Sequence, residues 1–197
     1  MKQPPADITK CLLDCSDQLQ GTGFDVGVDE IAKLSGVPRA TLYYYFSGKD
    51  DLIAFFLANK LDTVQTALVE AAAIAGTPAE RLARVLKALL TSMSEHPVIC
   101  TDLPVALHRA GTYAEVAARM EQVVLAPLRE VLIEGRATGD FTVAEPAIVS
   151  VSFVGALMQA SLAQFTASGA IDADGLADEL VPIMVSGLTR NATVAAG

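Results

Sequence analysis

Residues 28–53, VDEIAKLSGVPRATLYYYFSGKDDLI, read as two short helices with a glycine-broken turn between them and the start of a third helix behind. Val28, Ile31, Ala32 and Leu34 give the first helix a short apolar face, Gly36 can take the positive φ that ends it, and Pro38 suits the first turn of the next. This is the pattern of a helix-turn-helix with its supporting strut. From Arg39 to Phe46, Leu42 and Phe46 stand four apart for the inside, which leaves Arg39, Ala40, Thr41, Tyr43 and Tyr44 pointing outward or flanking that edge. Exposed tyrosines beside Thr and Arg have a use against duplex DNA, because hydroxyls and a guanidinium reach phosphates and base edges in the major groove.

Outward from this stretch, punctuation and periodicity predict helices only, with no repeat, low-complexity run or strand-period segment. A first helix is expected from about Ala6 to Leu19, ending at the Gly21–Gly23 turn with Phe24 beneath the motif. Cys11 and Cys15 fall on its apolar face with Ile8, Leu12 and Leu19, where free thiols act as small hydrophobes. Ser47 and Asp50 form a potential capping box opening a long helix to about Ala75. Thr77 and Glu80 form another, with Pro78 at the first helical position, for a helix through Leu82, Val85, Leu86, Leu89 and Met93 that Pro97 stops. A short helix is expected at 103–109, then one from Thr112 to about Arg136 bent at Pro127. The last two are expected at about 145–168 and 174–190, the final one interrupted by Pro182.

Composition fits packed helices: 197 residues, 52% of them hydrophobic, can bury a substantial core. The net charge of −9 is unusual for a DNA binder, and residues 1–60 carry six basic against eight acidic side chains. Affinity must therefore come from placement, with Lys33, Arg39 and Lys49 toward phosphates and Asp14, Asp17, Asp50 and Asp51 away from them. No C-x-x-C pair occurs and MKQPPADITK lacks a signal-peptide layout, so the expected location is the cytoplasm. Residues 146–171 contain no charge and are long enough to span a bilayer. Recurring Ser and Gln, missing basic flanks and a second apolar helix behind favour a helix buried on two sides, with no membrane partner. Ser152, Ala156, Gln159, Ala160 and Ala163 form a small or polar stripe there, and Val151, Val154, Met158, Leu162 and Phe165 a bulky one.

IAKLSGV at 31–37, TLYYYF at 41–46 and Lys49 three residues after Phe46 resemble the DNA-binding end of the TetR family of bacterial transcriptional regulators. EGRATGDF at 134–141 resembles the Gly-x-x-x-Gly-x-Phe turn that precedes the dimerisation helices of that family. The resemblance implies an all-α fold of about nine helices, with a helix-turn-helix DNA-binding domain at 1–50 and a helical effector-binding and dimerisation domain at 51–197. It implies a homodimer joined through the last two helices, so that two recognition helices enter successive major grooves of a palindromic double-stranded operator. Carried over by position, Arg39, Ala40, Thr41 and Tyr43 would face bases and nearby sugar-phosphates, Tyr45 and Lys49 would hold the backbone, and Tyr44 could do either. Small residues Ser152, Ala156, Ala160 and Ala163, with Leu180, Ile183, Met184 and Gly187, would line the dimer interface. Gly27 stands where that family usually has Thr, and Asp29 where it often has a basic residue.

The body is expected to hold a small, largely apolar effector whose binding releases DNA, the behaviour of a repressor. Leu86, Leu90, Met93, Leu103, Leu107, Met120, Phe153 and Met158 are the apolar candidates for its pocket, and His96, His108, Tyr113 and Gln159, with Thr91 and Asp102, the polar ones. Cys100, Asp102, His96 and His108 are the best set for catalysis or a metal, but their spacing matches no ligand motif, so neither an enzyme nor a cofactor or metal site is expected. A metal-responsive regulator and a helical binding protein that no longer contacts DNA remain as alternatives.

Overall fold

The structure is a computed structural model that describes residues 3–16, 26–104 and 114–189. Nine helices lie among the described residues: α1 (Ala6–Ser16), α2 (Val28–Ser35), α3 (Arg39–Tyr45), α4 (Lys49–Ala73), α5 (Pro78–Glu95), α6 (Val98–Thr101), α7, α8 (Pro146–Ser168) and α9 (Ala173–Ser186). α7 runs through Ala114–Met120, a π turn at Glu121–Leu125, and Ala126–Thr138. The chain forms two compact units, Met1–Leu61 with Pro97–Arg119, and Asp62–His96 with Met120–Gly197.

The first unit is organised by one apolar cluster, in which Leu12, Val26, Ile31, Val37, Leu42, Phe46 and Leu52 are buried and Tyr45, Phe55 and Phe56 lie against them. Gly36 ends α2 at φ 69, the left-handed region that Gly enters without steric cost. Pro38 sits just before α3 rather than in its first turn, and its carbonyl accepts the Thr41 and Leu42 N–H groups at 2.9 and 3.1 Å. Two local expectations are corrected. Cys15 is buried, with burial pushing its thiol up to about 11, but Cys11 is exposed. Residues four apart on a helix differ in direction by about 40°, enough to carry Cys11 off the stripe that Leu12 and Cys15 fill. At the start of α4, the Ser47 N–H donates to the Asp51 carboxylate at 2.8 Å, a partner one residue beyond the expected Asp50.

The second unit centres on α5, whose Leu82, Val85, Leu86, Leu89, Leu90 and Met93 are all buried. Its Thr77–Glu80 capping box forms as expected, and Arg84 Nη2 donates to the Ile74 carbonyl at 2.6 Å beyond the end of α4. At Pro127 the helix widens instead of simply bending: proline has no N–H to offer, and the Ala126 N–H bonds five residues back to Glu121. The EGRATGDF turn has a steric basis. Gly139 is left-handed at φ 84, and a Cβ on Gly135 would fall 2.1 Å from the Phe141 ring, so a bare backbone is the floor on which that ring rests. Thr142 then donates to the Leu188 carbonyl at 2.7 Å.

α9 continues through Pro182 to Ser186, a correction to the expected interruption, and the ring is accommodated on the exposed side. The short helix between breakers lies at Val98–Thr101; of the stretch expected to be helical, residues 105–109 fall outside the described residues. α4 and α8 are each long and apolar enough to cross a bilayer by length and composition. In α8, Ser150, Val154, Leu157 and Ser161 are buried within the unit, where the Ser161 hydroxyl meets the Met93 sulfur at 3.6 Å.

Candidate nucleic-acid interface

α3 is a seven-residue helix, too short to be stable alone, and is held through Leu42 and the following Phe46, both 1% exposed. Its remaining surface is turned outward. Tyr43 and Tyr44 are 47% and 62% exposed, Arg39 and Ala40 are exposed and Thr41 is half-buried. Tyr45 differs from its neighbours: it packs on the apolar cluster, with its ring edge-to-face with Tyr44 at 4.9 Å. Lys33 is exposed in the last turn of α2, and Lys49 is half-buried at the first residue of α4.

Arg39 is held on two sides. Its guanidinium lies 5.4 Å over the Tyr43 ring, and its Nη1 meets the Asp29 carboxylate at 2.7 Å. The Tyr43 hydroxyl, followed by the charge of Asp29, pushes the Arg39 pKa up, so the group stays cationic. Gly27 precedes α2 in extended conformation with no side-chain cap, as its missing hydroxyl requires. Sequence reasoning noted Asp29 as out of place without finding its partner, because pairing across the turn depends on the angle between the two helices.

In the second unit, Leu86, Leu90, Met93 and Met120 are buried, Phe153 and Met158 are half-buried, and Gln159 is exposed on α8. Leu103, Cys100 and Asp102 belong to the first unit; Leu103 and Cys100 are buried, and burial pushes the Asp102 carboxyl up against the pull of Thr101. His96 ends α5, half-buried. Leu107, His108 and Tyr113 lie outside the described residues. Among the described residues no three His, Cys, Asp or Glu side chains come together as a metal-holding group.

α8 has a second face. Ser152, Ala156, Gln159 and Ala163 are exposed, together with Ile148, Val151 and Gly155; Ala160 is half-buried. On α9, Ile183 is exposed and Leu180 and Met184 are half-buried, and Gly187 just beyond its end is exposed. Ile148, Val151 and Ile183, at 65%, 56% and 66% exposed, are large hydrophobic side chains left in solvent, the first two on a helix without a charge.

Comparison with known proteins agrees with this arrangement. The family model for bacterial regulatory proteins of the tetR family matches residues 17–54, and that for the tetracyclin repressor-like C-terminal domain matches residues 75–188. An uncharacterized HTH-type transcriptional regulator of Mycobacterium tuberculosis is 28% identical over 114 residues, 54% of this chain and 56% of that protein. The HTH-type transcriptional regulator LmrA of Bacillus subtilis is 32% identical over 100 residues, 48% and 50% respectively. The chain thus spans about half the length of the curated relatives it matches. Among solved structures, the fatty acid degradation regulator FadR of Bacillus halodurans superposes with a TM-score of 0.76 at 19% identity, covering 96% of this chain and 100% of that one. A FadR of Bacillus subtilis in complex with stearoyl-CoA gives 0.73 at 18% identity, covering 92% and 98%.

Proposed function

The chain belongs to the TetR family of bacterial regulatory proteins and is a transcriptional regulator, and from that premise we propose that it is a cytoplasmic repressor acting as a homodimer on a palindromic operator. The observation that carries this reading is the division of α3 into a buried Leu42 and an outer surface of Arg39, Ala40, Thr41, Tyr43 and Tyr44. Arg39 and Thr41 reach base edges, the tyrosine hydroxyls reach bases or sugar-phosphates, and Tyr45, Lys33 and Lys49 hold the backbone. Residues 1–50 form the reading head and residues 51–197 the effector-binding and dimerisation body.

The uncharged outer face of α8 and the apolar side chains beside it on α9 form the dimer interface, with Ser152, Ala156, Ala160 and Ala163 allowing close helix approach and Leu180, Ile183, Met184 and Gly187 completing the contact. Two heads joined this way meet the same face of the duplex one turn apart. A small, largely apolar effector, recognised through side chains including Leu86, Leu90, Met93, Met120 and Phe153, favours the dimer state whose heads are wrongly spaced and so releases DNA. His96, in the same unit, is a further effector contact in this proposal.

The test is a selection of bound duplexes from a random pool, followed by affinity measurement with and without candidate effectors. Acyl thioesters, of which the Bacillus subtilis FadR structure holds one, are the first probes. A palindromic consensus that Arg39→Ala binds more weakly, by about 1–3 kcal/mol and with relaxed base preference, supports the reading. An unchanged footprint for Arg39→Ala counts against it, as does effector binding that leaves operator affinity unchanged at fixed salt.

A further inference from the structure

Asp29 lies in the first turn of α2 and Arg39 is the first residue of α3, so their contact ties together the outward starts of both helices of the helix-turn-helix. The carboxylate meets Nη1 at 2.7 Å while the guanidinium carbon lies 5.4 Å from the centroid of the Tyr43 ring. Both partners are mostly exposed, 59% for Arg39 and 71% for Asp29. An exposed pair of this kind adds little to folding stability, so its consequence is geometric. A free arginine distributes its long side chain over many rotamers, and ordering it on DNA costs binding energy. A guanidinium has five N–H donors in a planar fork, so a carboxylate at Nη1 and a tyrosine ring within cation–π range restrict its orientation while leaving other donors for a base.

The same carboxylate has an opposite effect on general attraction to DNA. α2 carries Asp29 and Glu30 in its first turn, against the single Lys33 in its last. A negative charge beside the helix that meets the duplex repels phosphates of any sequence, whereas the orientation it gives Arg39 benefits only a site with the right base in reach. We propose that Asp29 is a specificity-determining positioning residue: it clamps Arg39 in the orientation that reads a base and lowers affinity for duplex of unrelated sequence. This rests on the reading of α3 as the recognition helix.

Wild type, Asp29→Asn, Arg39→Ala and the double variant would be measured on the selected duplex, on versions changed one base pair at a time, and on a random duplex, at one salt concentration. Asp29→Asn is expected to bind random duplex about threefold to tenfold more tightly, through loss of one negative charge. It should also lose about fivefold to tenfold of the preference at the base pair that Arg39 reads. In the Arg39→Ala background the gain on random duplex should persist while base preference no longer responds to Asp29, a coupling that a purely structural role would not produce. Without DNA, the Arg39 Nη1 protons, which the carboxylate meets, should exchange with water more slowly in wild type than in Asp29→Asn by NMR at low temperature, with thermal unfolding unchanged. The inference is overturned if Asp29→Asn keeps the wild-type preference at every position, if its effect on preference is the same without Arg39, or if the exchange rates match. Failure of wild type to prefer any duplex would overturn the regulatory reading and this inference together; a wild type that selects its site and an Asp29→Asn that selects it equally well would overturn this inference alone.

Discussion

The outer surface of α3 and the outer face of α8 with α9 both leave large side chains in water, yet they have opposite chemistry. α3 presents a guanidinium, a threonine and two tyrosines within seven residues, whereas α8 presents isoleucine, valine and small residues along a helix of 23 residues without one charge. Exposure is common to both, so exposure alone does not identify a partner. Amphipathic tips keep their polar ends hydrated until they are exchanged for phosphate and base contacts. An uncharged face rich in Ala, Ser and Gly gains by excluding water against a surface of the same kind, as a two-fold dimer allows. The supports differ as well: α3 depends on two buried anchors, whereas α8 is long and has buried contacts along its length.

That contrast is testable, and the largest expected effect is on the anchors. Phe46→Ala should remove about 3–5 kcal/mol from the head, the usual range for emptying a buried aromatic site. Hydrogen exchange should then show α2 and α3 losing protection well before α5; equal protection across both would mean that the two regions are not supported differently. Ala156→Asp comes next. Placing two carboxylates against each other in an isologous interface should raise the dimer dissociation constant at least about a hundredfold, since like charges there cost several kcal/mol. Sedimentation at micromolar concentration reads the result, and a variant that stays dimeric would move the interface off this face. Gly135→Ala should destabilise by about 1–3 kcal/mol through overpacking against Phe141, measured by urea unfolding, while Gly139→Ala should fail for a different reason, its φ of 84.

The same contrast explains what could be read in the chain of letters. α2, the turn and α3 were legible because Gly36, Leu42 and Phe46 have jobs fixed by short-range geometry, and the Gly135–Phe141 turn was legible as a motif whose steric reason only coordinates supply. α8 was harder. Ser150, Val154, Leu157 and Ser161 repeat at the spacing of Ile148, Ser152, Gly155 and Gln159, two residues earlier and therefore about 200° round the helix. On a helix without charges, periodicity cannot choose between such faces. Ile148 and Gly155 consequently escaped notice, and Gln159, expected near an effector, stands on the exposed side. The Cys11 position failed through a 40°-scale offset, and Ser47 found Asp51 through a turn geometry one residue from the usual box. The Asp29–Arg39 contact was beyond reach because it depends on how one helix crosses another.

A second ion pair gives the smallest effect and the sharpest control. Lys87 on α5 meets Asp174 on α9 at 2.8 Å, close to the 2.7 Å of Asp29 and Arg39, and is likewise exposed. The Lys87 ammonium, by hydrogen bond and then by charge, holds the Asp174 carboxyl below its ordinary value of 3.8, and Asp174 raises Lys87 above 10.5 in return. A lowered carboxyl pKa contributes stability above 3.8 that disappears as pH falls through the folded value; a raised lysine pKa contributes stability below 10.5 that disappears as pH climbs through the folded value. Asp174→Asn should therefore lie slightly below wild type in urea midpoint across the neutral range and converge with it at both extremes. High salt should shrink the gap, because exposed charges are screened. Since Asp174 is no part of the helix-turn-helix, the same variant should leave base preference untouched where Asp29→Asn alters it. If the two variants change base preference alike, pairing as such, and not the position of the pair beside α3, would be responsible, and the distinction between the two exposed surfaces would lose its chemical basis.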